Sequence, residues 1–304
     1  MSIAELRRFF QKFNSGSAIP TPRETSGAKV STFCIGGPLF LIEPQMLEDL
    51  LTILRLLNNE GIAFRILGNG SNILIPDDGV AEVTIRLGKG FRTLNVKSPD
   101  SIIVGGATSL MSLARELSEE GLSGIEFAGG IPASLGGAIW MNAGAHGGEM
   151  ESIVRNIQIV LKNGDVHRLS RNEINFEYRN SGLPESTVVV DAELALVKSS
   201  KAETSERRVH FLSERKMRQP LTVPSAGSIF RNPSKIKSAG ALIEEAGLRG
   251  TRSGGAEISS MHGNWIVNPE RAASFTDVIS LIELCQREVQ SKNGIVLHPE
   301  LIRW

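Results

Sequence analysis

The sequence predicts an α+β fold of two or three lobes, with a compact α+β lobe toward the C-terminus. Three observations predict it. At 304 residues the chain exceeds one ordinary domain of about 100 to 150 residues. Short apolar strand patterns alternate with amphipathic helix patterns along its length, as expected for mixed layers around more than one core. A polar, charged stretch, KSSKAETSERR at 198–208, interrupts that alternation and is read as the main boundary. The expected division is an N-terminal arm over 1–28, a first lobe over 29–95, a second over 96–200 and a third over 201–304.

After a short helical start, residues 1–28 read as polar and irregular. Leu47, Leu50, Leu51, Leu54 and Leu57 follow the helical period between Pro44 and Gly61, an amphipathic helix with its own start and stop. IAFRIL (62–67), GNGSN (68–72) and ILI (73–75) read as strand, turn, strand. That is not the strand-to-helix setting in which a dinucleotide-binding G-x-G-x-x-G operates, which argues against an ordinary Rossmann site. Strands EVTIRL (82–87) and SIIVGGA (101–107) precede a helix with Leu110, Leu113, Ala114 and Leu117 on one face and Gly121 at its end. Asn163-Gly164, between two strand patterns, predicts a hairpin with a type I′ turn. TVVVDAELALV (187–197) alternates as a half-buried strand. In the last lobe Ser238 and Gly247 bracket a helix over 239–246. NWIVN (264–268) reads as a strand, and 276–292 as a longer helix with Val278, Ile282, Cys285 and Val289 on one face.

Lys plus Arg equals Asp plus Glu at 33 each, and no block of five like charges occurs. A nucleic-acid or membrane-surface footprint is therefore not supported, and any anionic ligand must be met by local cations. Cys34 and Cys285 stand far apart without metal-type spacing, which suits a reducing cytoplasm and a protein with no metal site. The N-terminal MSIAELRRFFQKF has no uninterrupted apolar stretch before a cleavage site, so a cytoplasmic protein is expected, and a monomer. Phe127 to Gly148 carries no Asp, Glu, Lys or Arg over 22 residues. Seven of them are glycine and Pro132 stands among them, so the stretch could not close its hydrogen bonds as a membrane helix. It is read instead as backbone laid closely around a large ligand.

Two glycine-rich loops carry that reading. Gly68-Asn69-Gly70-Ser71-Asn72 offers consecutive N–H groups and short donor side chains, a nest suited to a pyrophosphate. Taken alone the signal is weak, because a glycine-rich segment between strands is more often a plain turn. Gly129-Gly130-Ile131-Pro132-Ala133-Ser134, then Gly136-Gly137 and Asn142-Ala143-Gly144, gives a second surface of the same kind. One large cofactor gripped from two sides accounts for both.

The strings STFCIGGP (31–38), LGNGSNILI (67–75), EFAGGIPASLGGAIWMNAGAHG (126–147), YRNS (178–181), PSAGSIFRNP (224–233), GALIEEAGLRG (240–250) and HPE (298–300) occur in this order. Together they resemble the successive motifs of the UDP-N-acetylenolpyruvoylglucosamine reductases, in their shorter type without an extra substrate-loop insertion. The resemblance runs from about residue 23 to the end of the chain. The two glycine loops are shared with the wider vanillyl-alcohol-oxidase (PCMH-type) flavoproteins, whereas YRNS, GSIFRNP and HPE are particular to the reductases.

The resemblance implies a PCMH-type FAD-binding unit followed by a substrate lobe. It also implies FAD as cofactor, with NADPH and an enolpyruvyl UDP-sugar as substrates. Flavin contacts are implied for Gly36, Gly68, Asn69, Gly70, Ser71, Asn72, Gly130, Ile131, Pro132, Ala133, Ser134, Gly137, Asn142 and Gly144. Substrate contacts are implied for Arg215, Arg218, Gln219 and Asn232, with Arg215 directed to the diphosphate and Arg231 near flavin or substrate. Arg179, Ser228 and Glu300 are implied as catalytic.

The chemistry makes sense of each catalytic assignment. Hydride delivery from flavin N5 to C3 of the enolpyruvyl group leaves negative charge at C2, spread into the adjacent carboxylate. Arg179 can fork a permanent charge onto that carboxylate, which Lys would not match. Ser228 is the implied acid that protonates C2, since a carbon beside a carboxylate dianion is basic enough to take a proton from a hydroxyl. An ionised Glu300 would repel that dianion, so Glu300 is expected to be protonated in the complex and to donate a hydrogen bond.

The chain departs from the family pattern at Cys34, often basic, at Ala133, often Gly, and at His146 and Thr251, both often Tyr. His146 leaves open a histidine-linked flavin, as in the wider superfamily. A flavin oxidase and a non-catalytic nucleotide-sugar binder remain the rival readings.

Overall fold

A computed structural model describes residues 3–13, 20, 22–234 and 236–304. The expected N-terminal arm falls partly on residues 1, 2, 14–19 and 21, which lie outside the described residues. The chain divides into two compact units, each discontinuous in sequence.

The first unit comprises the chain up to Glu24, Phe40–Asn69 and Ala81–Ser213. Its helix Ile3–Phe13 buries Leu6 and Phe10, and the amphipathic helix Leu47–Asn59 buries Leu50, Ile53, Leu54 and Leu57. Both pack in one apolar cluster with Phe40, Ile42, Val83 and Ile85. Those four belong to parallel strands in register: Phe40 opposite Val83, Ile42 opposite Ile85, and Phe64–Ile66 parallel on the other side of Val83–Ile85. Parallel pairing needs a crossover, and the helix Leu47–Asn59 supplies it.

A second layer of this unit is a five-stranded antiparallel sheet. Its spatial order is Val166–Ser170, Val154–Val160, Val188–Leu194, Ser101–Gly105 and Leu94–Ser98. Alternate residues, among them Ile157, Ile159, Ala192, Leu194, Ile102 and Val104, meet the apolar face of helix Leu110–Glu119 and the short helix Leu135–Trp140. Side-chain alternation across the pleat thus supplies one buried face.

The hairpin expected at Asn163-Gly164 is present but is not type I′. Val160 pairs with Val166, Leu161 and Asp165 are joined by a backbone hydrogen bond, and only Gly164 (φ 86°) has positive φ. That is a three-residue loop closed by one left-handed glycine. The type I′ signature instead stands at His146-Gly147 (φ 51° and 81°), between the paired Ala145 and Gly148.

The second unit comprises Thr25–Leu39, Gly70–Val80 and Glu214–Trp304. Residues 25–39 and 70–80, placed by sequence in the first lobe and its approach, thus cluster with the C-terminal segment. An antiparallel sheet ordered Ser225–Ser228, Trp265–Val267, Ala256–Ile258 and Arg252–Ser253 is covered by helices Ala239–Glu245 and Phe275–Asn293. The long helix starts with a capping box, in which Ser274 Oγ accepts from Asp277 N (3.1 Å) and the Asp277 carboxylate accepts from Ser274 N (2.9 Å). It stops at Gly294, φ 66°. Ile302–Arg303 pairs parallel with Ile73–Leu74.

The polar stretch at 198–208 runs into a helix. Residues Lys201–Arg218 form an 18-residue helix, so this polar stretch is regular structure rather than a linker. Among the described residues no helix is long and apolar enough to cross a membrane.

Candidate functional site

In the first unit the two glycine-rich loops meet. Asn69 Nδ2 donates to the Pro132 carbonyl at 3.3 Å. A Cβ on Gly68 would stand 2.8 Å from Ser134 Oγ, and one on Gly137 would stand 3.2 Å from the same oxygen. Ser134 is buried and holds the start of its short helix by accepting from Gly137 N at 3.3 Å. Pro132 and Asn69 are exposed, Ile131, Ala133, Gly68 and Gly137 partly so, and Gly130 is buried. The result is a partly open surface made largely of main chain, where an extra methyl group would fill the approach to Ser134. Such a surface fits a large cofactor gripped by backbone, so the residues present fit FAD.

The Tyr178–Ser181 turn is fastened to the second of these loops. Ser181 Oγ donates to the Trp140 carbonyl (2.9 Å), Asn142 Nδ2 to the Glu177 carbonyl (3.0 Å), and Arg179 Nη2 to the Gly144 carbonyl (3.0 Å). Arg179 sits at φ 59°, with its guanidinium carbon 4.9 Å from the centre of the Tyr178 ring. A left-handed conformation at a residue with a large side chain stores strain and is held by these surrounding bonds. Asn142, expected to touch flavin, is fully buried. Its carboxamide bonds Glu177, Glu149 and the Glu151 N–H, so the fold uses it to position this turn. His146 stacks on Phe211 with ring centroids 4.3 Å apart.

In the second unit Ser228 and Glu300 are brought together although 72 positions (300 − 228) separate them in sequence. Glu300 N donates to the Ile229 carbonyl (2.8 Å), Arg231 N donates to the His298 carbonyl (2.9 Å), and Phe230 bridges Pro299. Three steps along this strand, from Ser225 to Ser228, face two steps of the neighbouring strand, since Ser225 pairs with Val267 and Ser228 with Trp265. Gly227, at φ 75°, takes up the extra residue. This bulge sets the direction of the Ser228 side chain, which is partly exposed, as is Glu300. Asn72, expected to contact flavin, donates Nδ2 to the Glu300 carbonyl at 3.2 Å and accepts from Ile302 N at 3.1 Å. Arg179 lies in the first unit, Ser228 and Glu300 in the second.

The remaining assignments sort by burial. The Arg215 guanidinium is largely buried, with Nε donating to Gln219 Oε1 at 2.9 Å and Nη1 buried without a hydrogen-bond partner among the described residues. Burial works against its charged form and pulls its pKa down from the ordinary value. Arg218 and Arg231 are exposed. Asn232 accepts from Ala239 N at 3.1 Å, next to the start of helix Ala239–Glu245. Gly36 is fixed by packing, because at φ 121° a Cβ there would stand 2.6 Å from Ile75 Cβ. Ser71 is partly exposed and Gly70 is buried against Val30.

Sequence reasoning passed over two buried asparagines, Asn264 and Asn268, which flank the apolar Trp265–Val267 strand. The signal was the pattern itself, since a carboxamide at each end of a buried strand must find partners inside the protein.

The chain matches the family model for the FAD binding domain over residues 38–170 and that for the UDP-N-acetylenolpyruvoylglucosamine reductase C-terminal domain over residues 219–304. It is 38% identical over 300 residues to the UDP-N-acetylenolpyruvoylglucosamine reductase of Anoxybacillus flavithermus, covering 98% of this chain and 97% of that one. It is 39% identical over 277 residues to that of Bacillus subtilis, covering 90% of each. The crystal structure of the Thermus caldophilus enzyme superposes with a TM-score of 0.81 at 37% identity, covering 93% of this chain and 98% of that one. The expected α+β fold, a PCMH-type FAD-binding unit followed by a second α+β region, agrees with these matches. The chain belongs to the UDP-N-acetylenolpyruvoylglucosamine reductase family.

Proposed function

We propose that this protein reduces UDP-N-acetylglucosamine enolpyruvate to UDP-N-acetylmuramate with NADPH, a step of peptidoglycan precursor synthesis, acting as a cytoplasmic monomer. Its two free thiols, Cys34 and Cys285, suit that compartment. Segments 29–95 and 96–200 hold the cofactor and 201–304 the sugar nucleotide. The observation that carries the reading is the pairing of the Ser228–Arg231 and His298–Leu301 segments, which brings the main chains that bear Ser228 and Glu300 onto adjacent, hydrogen-bonded segments.

FAD, when bound, supplies the two-electron relay from NADPH to C3 of the enolpyruvyl group. Main chain around Gly68, Asn69 and Gly130–Gly137 would hold it, with Asn142 and Gly144 supporting the cradle. Arg179 offsets the charge that accumulates on the substrate carboxylate, and its left-handed backbone fixes where the guanidinium points. Ser228 transfers its hydroxyl proton to C2. Glu300 carries a proton in the complex and donates a hydrogen bond to the developing enolate, which a carboxylate could not do. Arg215 receives the diphosphate. A buried guanidinium with an unpartnered nitrogen is costly alone, and an anion beside it offsets that cost. Arg218, Gln219 and Asn232 complete the nucleotide-sugar contacts.

The test is anaerobic. Protein loaded with FAD is reduced by NADPH, the enolpyruvyl UDP-sugar is added, and the flavin absorbance near 450 nm should return in stoichiometric amount. Bleaching by NADPH with no return on adding the sugar removes the reading.

A further inference from the structure

Ser228 and Glu300 both depend on one strand, and that strand is gripped by a side chain with no place in the scheme above. Asn264 is 4% exposed. Its carboxamide closes a two-point clamp on the main chain of Phe230: Phe230 N donates to Asn264 Oδ1 at 2.9 Å, and Asn264 Nδ2 donates to the Phe230 carbonyl at 2.8 Å. Its own carbonyl accepts from Ile229 N at 3.0 Å. Both polar groups of a single residue two positions from Ser228 are therefore fixed by one side chain.

The clamp reaches Glu300 as well. Phe230 bridges Pro299, and Ile229 accepts from Glu300 N on its other edge. Asn264 is in turn fixed by His262, whose Nδ1 accepts from Asn264 N at 3.1 Å. The imidazole packs close to Gly240, where a Cβ would stand 2.9 Å from its Cε1. A chain of contacts thus runs Gly240, His262, Asn264, Phe230, with Ser228 two residues along one strand and Glu300 on the next.

We propose that Asn264 is a positioning residue for the proton-transfer half of the reaction: by bonding both main-chain groups of Phe230 it fixes Ser228 and Glu300 relative to each other. This rests on the reading of Ser228 and Glu300 given above. A carboxamide alone among side chains of this size offers a donor and an acceptor at the spacing of one residue's N–H and C=O. Asp of equal volume keeps the acceptor and loses the donor when ionised. Displacement of a reacting group by about 1 Å lowers a rate by up to about a hundredfold.

The experiment compares native, Asn264→Ala, Asn264→Asp and Asn268→Ser proteins, each loaded with FAD and followed by anaerobic stopped flow. Asn268 is the comparator because it is fully buried and ties the Phe33 carbonyl (3.1 Å) and Ala273 N–H (2.9 Å) without bonding the Ser228 strand through its side chain. Reduction by NADPH should stay within about twofold of native in the Asn264 variants. Reoxidation by UDP-N-acetylglucosamine enolpyruvate should slow about tenfold to a hundredfold, with a larger solvent deuterium isotope effect. Asn268→Ser should alter stability without separating the two half-reactions. If Asn264→Ala yields no folded flavoprotein, Asn264→Asp carries the same comparison. Native-like reoxidation in the Asn264 variants, or equal slowing of both half-reactions, overturns the proposal while the function stands. Failure of the native protein to reoxidise removes both.

Discussion

Ser228 and Glu300 differ in what their removal should show. A serine hydroxyl is a weak acid, useful only against a base as strong as the carbon beside a carboxylate dianion. Ser228→Ala should therefore accept electrons from NADPH at the native rate, yet reoxidise with enolpyruvyl substrate at least about a thousandfold more slowly, near the upper range of general-acid effects. A native turnover rate in that variant would take Ser228 out of the mechanism. Glu300 makes a sharper case, because its proposed task is to donate while neutral. Glu300→Gln retains a donor at nearly the same position, whereas Glu300→Ala leaves none, so the Gln variant should keep at least about ten times more activity. Equal losses in the two variants would mean that the carboxyl group does not act as a donor.

The elements that carry these residues were unevenly legible. Helices Leu47–Asn59, Leu110–Glu119 and Phe275–Asn293 announce themselves because a stripe of leucine, isoleucine or valine must reach a core at the 3.6 period. Helix Lys201–Arg218 does not, since it buries only Thr204 and offers no apolar stripe. Its one local signal is the sequence Ser200-Lys201-Ala202-Glu203, which is a capping box in form. Glu203 N donates to Ser200 Oγ at 3.2 Å, and Ser200 N to the Glu203 carboxylate at 3.5 Å. Glycine content marked both loops for close backbone approach. It could not say that Asn142 would be buried as a brace, because that depends on Glu177 arriving from 35 residues away. Gly70 tests how strict the loop requirement is. It sits at φ 67° with the Val30 carbonyl where a Cβ would go, so neither conformation nor space admits a side chain. Gly70→Ala should destabilise the protein by about 1–3 kcal/mol in urea unfolding, with loss of FAD retention on gel filtration. Unchanged stability would show that the turn relaxes freely.

Across the whole molecule charge is balanced at 33 against 33, so net repulsion does little and the pH dependence of stability falls to individual groups. Several are displaced in the same sense. Asp277 is held below its usual range, first by the Ser274 N–H, with help from the Ser274 hydroxyl and the Gly255 N–H. Glu193 is lowered by hydrogen bonds from Ser101 and then Asn156. For Glu43 burial alone would raise the value, but bonds from Arg86 and Arg23 outweigh it. A carboxylate with a depressed folded value binds fewer protons folded than unfolded. Its contribution is complete above the unfolded value near 4 and is lost as pH falls through the folded one. His262 is also lowered, by burial first and by the nearby Arg249 charge second, from an ordinary value of 6.5. The unfolded chain takes up that proton first, so the loss of stability from His262 begins as pH drops below about 6.5, before any carboxylate contributes. The urea midpoint should therefore be flat above about pH 7, decline gently from about 6.5, and fall steeply below about 4.5. His262→Gln should remove the gentle part and leave the steep part in place. A midpoint that stays level down to pH 4.5 in the native protein would show that the fold does not disfavour the charged form of His262.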